Sequence, residues 1–157
     1  MASSLITGAV SLLLILIAGY VIATGILTIA ETTIYTQTDV TYNQELIKQT
    51  QISMNAFWDV NNSRISMYIF NNGSTSFSEN DFKHMDIFTY DTFQVRNFTK
   101  ADSDCETFEV LEASDVINKG MWDPSEILLV NITVTQAPKW VKFVTSNGVT
   151  TSMNIGP

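Results

Sequence analysis

The sequence predicts an all-β, immunoglobulin-like sandwich of seven or eight short strands preceded by one long N-terminal transmembrane α-helix. Three observations carry that expectation. No charged residue occurs from Leu5 to Ala30, whereas all 8 basic and 16 acidic side chains lie at or beyond Glu31. From Ile52 onward the apolar residues recur at every second position, the period of a half-buried strand. Turn dipeptides such as Asn72-Gly73, Asp123-Pro124, Ala137-Pro138 and Asn147-Gly148 punctuate the same region. The organisation expected is a transmembrane helix over 1–30, a helical stalk over 31–51 and an extracytoplasmic sandwich over 52–157.

The apolar run Leu5–Ala30 makes roughly 39 Å of helix at ~1.5 Å per residue, enough to cross a ~30 Å hydrocarbon core with tilt to spare. A cleavable signal needs a basic leading segment and an apolar stretch of about 7–15 residues. Here Met1–Ser4 contain no Lys or Arg and the run is longer, so an uncleaved anchor is expected. No basic residue flanks the run, the first being Lys48, and the positive-inside rule has nothing to count. From the short leading tail and the acceptor sequons at Asn61, Asn72, Asn97 and Asn131, the N-terminus is expected inside and the C-terminal domain outside. Within the helix, Gly19 and Ala23 form a small-xxx-small pair that lets two helix backbones approach closely in lipid. Between membrane and domain, Ile34, Tyr35, Tyr42, Leu46 and Ile47 recur at helical spacing with no Gly or Pro before Gln51. The β-branched threonines there oppose a helix mildly.

Ile52, Met54, Ala56 and Trp58 then alternate with polar neighbours, Asn61-Asn62 supplies a turn, and Ser63–Phe70 returns as the second strand. Further strands are expected over Lys83–Thr89, Thr92–Phe98, Thr107–Glu112 and Glu126–Thr135. The last hairpin pairs Lys139–Thr145 with Val149–Ile155 around Ser146-Asn147-Gly148, where Asn-Gly favours a type I′ turn. Phe57, Trp58, Tyr68 and Phe70 are expected in the core, Trp122 as a turn anchor, and Trp140 on either face of its sheet.

The net charge of −8 belongs entirely to the C-terminal part. Such a surface repels phosphate backbones, so nucleic acid is not an expected partner; basic surfaces and divalent cations are. The single cysteine, Cys105, permits no intramolecular disulfide and reads as a small, partly buried hydrophobe; His84 reads as a strand side chain. No nucleophile elbow, Gly-rich phosphate loop or Cys/His cluster occurs, so an enzyme is not expected. The sharpest chemical candidate is Asp102-x-Asp104-x-Glu106, whose alternate carboxylates suit one Ca²⁺, although the glycine and distal glutamate of an EF-hand loop are missing. No other cofactor is expected.

A hydrophobic helix running from the N-terminus into a Thr/Asn-rich β-domain is the layout of archaeal surface-filament proteins. Within that set the chain resembles the archaellum (archaeal flagellum) accessory proteins FlaF and FlaG. The resemblance is carried by the opening MASSLITGAVSLLLILIAGYVI, the hairpin Ile65–Gly73, the turn Trp122-Asp123-Pro124-Ser125-Glu126 leading into ILLVNITV, and the closing Val141–Val149. The family typically shows Trp-x-Pro-Gly-Glu before a strand and a Val-x-Val-Val-Thr-x-x-Gly-Val hairpin. Ser125 stands where the family has glycine, so the turn need not keep the same backbone conformation. The resemblance implies a stator-like structural role. Such proteins are anchored in the cytoplasmic membrane and span the pseudo-periplasm, one engaging the S-layer protein and the other forming filaments, to hold a rotary motor against torque. It also implies homo- or hetero-oligomers with other archaellum components. The sheet edge at Val141, Phe143 and Thr145 is the candidate for self-association by strand addition. The alternative is a structural subunit of an archaellum or type IV pilus-like filament; such subunits are normally made with a basic leader, which Met1–Ser4 lack. A generic surface adhesin also fits a sandwich but leaves the C-terminal motifs unexplained.

Overall fold

A computed structural model describes residues 2–155. Helix α1 runs without a break from Ala2 to Gln49, through the apolar run and the polar segment beyond it. The threonines that weigh against a helix are accommodated by back-bonding. The hydroxyls of Thr28, Thr32, Thr33, Thr36, Thr38 and Thr41 each donate to the carbonyl four residues earlier at 2.8–3.0 Å. The helix is long and apolar enough to cross a membrane by length and composition, and its apolar portion is exposed on all sides.

The chain divides into two compact units, residues up to 43 and residues from 44 onward. The helical-stalk boundary expected at residue 51 therefore shifts: the last turn of α1, Gln44–Gln49, belongs with the β-domain. Hydrogen bonds described below cause that shift.

The second unit contains eight strands: β1 (Ile52–Asp59), β2 (Arg64–Asn71), β3 (Asp86–Tyr90), β4 (Val95–Thr99), β5 (Cys105–Val110), β6 (Ile127–Thr133), β7 (Trp140–Val144) and β8 (Thr150–Asn154). They form two four-stranded sheets, ordered β1-β2-β6-β5 and β4-β3-β7-β8, with every pairing antiparallel. Lettered A to G with a C′ in chain order, this is an A-B-E-D sheet facing a C′-C-F-G sheet, the strand order used by immunoglobulin-type sandwiches. Ile65, Met67 and Ile69 from β2 and Leu128, Val130 and Ile132 from β6 fill the core from one side. Ile87, Val141 and Phe143 fill it from the other, and all of these side chains are fully buried.

Period-two geometry corrects part of the expected core. Because Ile65, Met67 and Ile69 point inward, Ser66, Tyr68 and Phe70 must point outward. Phe57 likewise faces away from the core, 58% exposed, and meets Tyr68 edge-on at 6.3 Å. Of the four aromatics expected inside, Trp58 alone packs against the core. The expected strand from Lys83 also starts later. Asp81–His84 form a 3₁₀ turn that buries Phe82 and leaves His84 exposed, so His84 is not a strand residue.

The closing turn differs too. Gly148 has φ +85° while Asn147 does not take a positive φ, and Gly148 N–H donates to Thr145 O at 2.9 Å. A type I turn followed by a left-handed glycine replaces the type I′ turn. Asn147 has other obligations: its Oδ1 accepts from the Thr145 hydroxyl at 2.6 Å and its amide donates to Thr50 Oγ1 at 2.7 Å.

Carboxylates pin the remaining loops. Asp59 accepts from the Asn62 amide at 2.6 Å and from Asn61 N–H at 3.0 Å across the β1–β2 turn. Asp91 accepts from Phe93 and Gln94 N–H at 2.7 and 2.9 Å across the β3–β4 turn. Glu106 accepts from the Thr133 hydroxyl at 2.7 Å and lies 3.4 Å from Arg64. The Asn62 hydrogen bond foremost holds Asp59 below its ordinary value of 3.8, the Phe93 N–H does so for Asp91, and the Thr133 hydroxyl holds Glu106 below 4.5. A carboxyl whose folded pKa lies below its unfolded value contributes stability that is complete above the unfolded value and is lost as pH falls through the folded one. The carboxyl resonances of Asp59 and Asp91 should therefore titrate below 3.8, and that of Glu106 below 4.5. The stability these three groups contribute should be complete above those values and lost as pH falls below them; midpoints at or above the ordinary values would contradict these pairings.

Candidate functional site

Beyond the opening helix, three segments carry the resemblance: two of them meet the end of α1, and the third bonds the loop that does. The chain leaves the helix at Thr50, which is 6% exposed. Its N–H donates to Leu46 O at 3.1 Å, and its hydroxyl lies 2.8 Å from Leu46 O and 3.0 Å from the Thr75 hydroxyl. The first segment, ending in Asn71-Asn72-Gly73, meets the helix end directly. Ser74 N–H donates to Gln49 O at 2.9 Å and Asn72 N–H to Gln51 O at 2.8 Å. The closing hairpin arrives from the other sheet, where Asn147 donates to Thr50 Oγ1. Helix carbonyls left without partners at a C-terminus thus find them in the sandwich.

Gly73 permits this contact. A Cβ at that position would collide with the backbone of Gln49 O and lie 2.5 Å from Gln51 N, neither of which can swing aside.

The third segment joins through Asn71, a fully buried side chain. Its amide donates to Thr75 O at 2.7 Å, its Oδ1 accepts from Gly73 N–H at 3.2 Å, and its backbone carbonyl accepts from Ser125 N–H at 2.8 Å. Trp122 is fully buried, stacked on Phe77 at 5.3 Å and edge-on to Phe143 at 6.1 Å, with its indole N–H donating to Glu126 O at 3.1 Å. It is the turn anchor expected. Glu126, 3% exposed, spends its carboxylate on backbone: Oε1 accepts from Val116 N–H at 2.9 Å and Oε2 from Asp123 N–H at 2.9 Å. Asp123, also buried, accepts from the Asn118 amide at 3.0 Å. The motif's acidic residue therefore stitches the long β5–β6 connection to the turn. Between them Ser125 has φ +71°. That is the left-handed conformation glycine adopts without strain.

The other expected sites fare differently. Val141 and Phe143 are buried in β7, which pairs with β3 on one side and β8 on the other, and Thr145 is 2% exposed beside it. This strand is interior, not an edge; β8 is the free edge on that side, and part of its approach is taken by β1, where Ala56 N–H reaches Met153 Sδ at 3.2 Å. Among the described residues no group of three acidic, His or Cys side chains gathers as a metal site. Asp102 instead accepts from Thr99 N–H at 2.6 Å and Glu106 pairs with Thr133 and Arg64, so Asp102, Asp104 and Glu106 do not converge. Asn61, Asn72 and Asn97 are exposed, whereas Asn131 is 9% exposed in the interior strand β6 with Oδ1 lacking a partner. The flank of Gly19 is open, and Ala23 is exposed. Cys105 is half-buried against the core at an irregularity in the β5–β6 pairing, and burial pushes its thiol up, away from the reactive thiolate.

No protein-family model and no curated protein matches the chain. Among solved structures, it is similar to the archaellum periplasmic stator protein FlaG from Sulfolobus acidocaldarius, with a TM-score of 0.49 and 17% identity over 66% of this chain and 97% of that one. It is also similar to the FlaF and FlaG stator complex from the same organism, with a TM-score of 0.44 and 18% identity over 67% of this chain and 86% of that one.

Two substitutions test the socket. Gly73→Ala should destabilise the β-domain by about 2–3 kcal/mol, lowering its thermal midpoint by about 10 °C; an unchanged midpoint would mean that the loop does not approach the helix end. Ser125→Gly should raise stability by about 0.5–1 kcal/mol, the left-handed strain relieved less the extra freedom of glycine in the unfolded chain. A loss of stability on thermal unfolding would show that Ser125 is not held at positive φ.

Proposed function

We propose that the chain is a membrane-anchored, non-enzymatic structural component of the archaellum motor, an anchoring or stator protein that links the cytoplasmic membrane to the S-layer for swimming motility. The observation that carries this reading is the socket: the Asn71–Thr75 loop and the closing hairpin meet the chain at the end of α1, and the Trp122–Glu126 turn is held through Asn71. A protein that bears load needs its anchor joined to its folded domain by more than a single covalent thread. Here Thr50, Gly73, Thr75 and Asn147 tie the last helical turn to loops from both sheets. In this role the N-terminus lies inside and the sandwich outside, with Gly19 and Ala23 packing against a neighbouring helix. The outward aromatics Phe57, Tyr68 and Phe70 form the face that another archaellum component covers.

The test is to reconstitute the full chain in nanodiscs and measure binding to isolated S-layer protein, while fractionating cells that express it. Saturable binding, with the chain retained in membranes after filaments are sheared, is the expected outcome. No S-layer binding, together with recovery of the chain in sheared filaments, would overturn the anchor role and establish the filament-subunit alternative.

A further inference from the structure

Outside the socket, the outer face of the second sheet carries a groove of about 300 Å³ lined by Trp140, Lys142, Ser152 and Asn154. The register builds it. Trp140 pairs with Asn154 and Lys142 with Ser152 across β7 and β8, so the four side chains alternate with core residues such as Val141 and Phe143 and stand on the solvent side. Trp140 is braced from the adjoining strand: the Tyr90 ring stacks on it at 5.8 Å with 25° between planes. Lys139 Nζ lies 6.0 Å from the Tyr90 centroid.

We propose that this groove is a saccharide-binding site with preference for an acidic sugar. A pyranose ring presents an apolar C–H face and a rim of hydroxyls. The half-exposed indole of Trp140 offers an apolar surface already fixed in orientation, so little side-chain freedom is lost on binding. Ser152 and Asn154 each both donate and accept, as sugar hydroxyls require. Lys142 only donates and carries charge, so it suits a carboxylate on the sugar. Lys139 and Lys142 are two of the 8 basic residues in a chain of net charge −8, and they bracket Trp140. Local charge therefore favours an anionic ligand against the field of the whole domain. The site stands on its own residues and goes beyond the anchoring role.

The experiment uses the full chain in nanodiscs, where no glycoside detergent competes. Trigalacturonate, a sulfated oligosaccharide and neutral cellotriose are titrated by calorimetry. At least one acidic saccharide should bind with a Kd of about 1 mM or tighter, and cellotriose about tenfold more weakly. Lys142→Met should abolish the difference between acidic and neutral probes. Trp140→Ala should weaken all binding at least about tenfold. Because β7 is an interior strand, Ser152→Ala with Asn154→Ala on exposed β8 serves as the second variant, with the same expected direction and an unchanged thermal midpoint. Absence of binding by all three probes would overturn the proposal, as would binding that neither Trp140→Ala nor the double variant alters.

Discussion

The fold of the second unit depends on one close approach, that of the Asn71–Thr75 loop to the backbone at the end of α1. A hydrogen atom in place of a side chain at Gly73 lets two main chains meet at hydrogen-bonding distance. From that contact the rest follows. Thr50 is buried, so its hydroxyl needs polar neighbours and has Leu46 O, Thr75 and Asn147 around it. Asn147 is held by Thr145 and Thr50, which sets the closing hairpin as a type I turn with a left-handed glycine. Asn71 reaches the Trp122–Glu126 turn from the other side of the same loop. The last helical turn thus behaves as a ninth element of the β-domain, which is why the boundary between the units lies before Gln44 and not at the first strand.

Buried charge is used sparingly and for position. Glu126 and Asp123 are buried yet accept hydrogen bonds from backbone and amide groups, and neither forms an ion pair among the described residues. Such acceptance specifies one loop conformation: with the carboxylate removed, the N–H groups of Val116 and Asp123 would be left to find other partners. The turn around Trp122 is held by packing and loop closure. Its hydrogen bonds to Asn71 tie it to the loop that meets the helix end.

Much of this was legible in the sequence. The loss of charge over Leu5–Ala30 announced the long apolar helix, and period-two runs announced the eight strands, although β3 and β4 begin at Asp86 and Val95, later than expected. Legibility failed where tertiary contacts override local signals. Asn-Gly at 147–148 favours type I′ taken alone, but Asn147 is recruited by Thr50, far away in sequence. Val141–Thr145 looks like an edge candidate until the pairing with both β3 and β8 is known, because sequence records alternation and not neighbours. Aromatic character points Phe57, Tyr68 and Phe70 to the core, although strict alternation with Ile65, Met67 and Ile69 places Tyr68 and Phe70 outside. The socket itself was invisible: its parts are ordinary Thr, Asn and Gly residues, and no local pattern marks their meeting.

The account rests on the helix end being part of the folded β-domain. Native-state amide exchange of the full chain in nanodiscs tests that most directly, read at Thr50, Asn72 and Ser74, whose N–H groups donate to Leu46, Gln51 and Gln49 carbonyls. The account predicts that these amides exchange only with global opening, as slowly as core amides of β2 and β6. Exchange at the rate of a fraying helix terminus would contradict it, leaving an anchor joined to its domain by a single flexible connection.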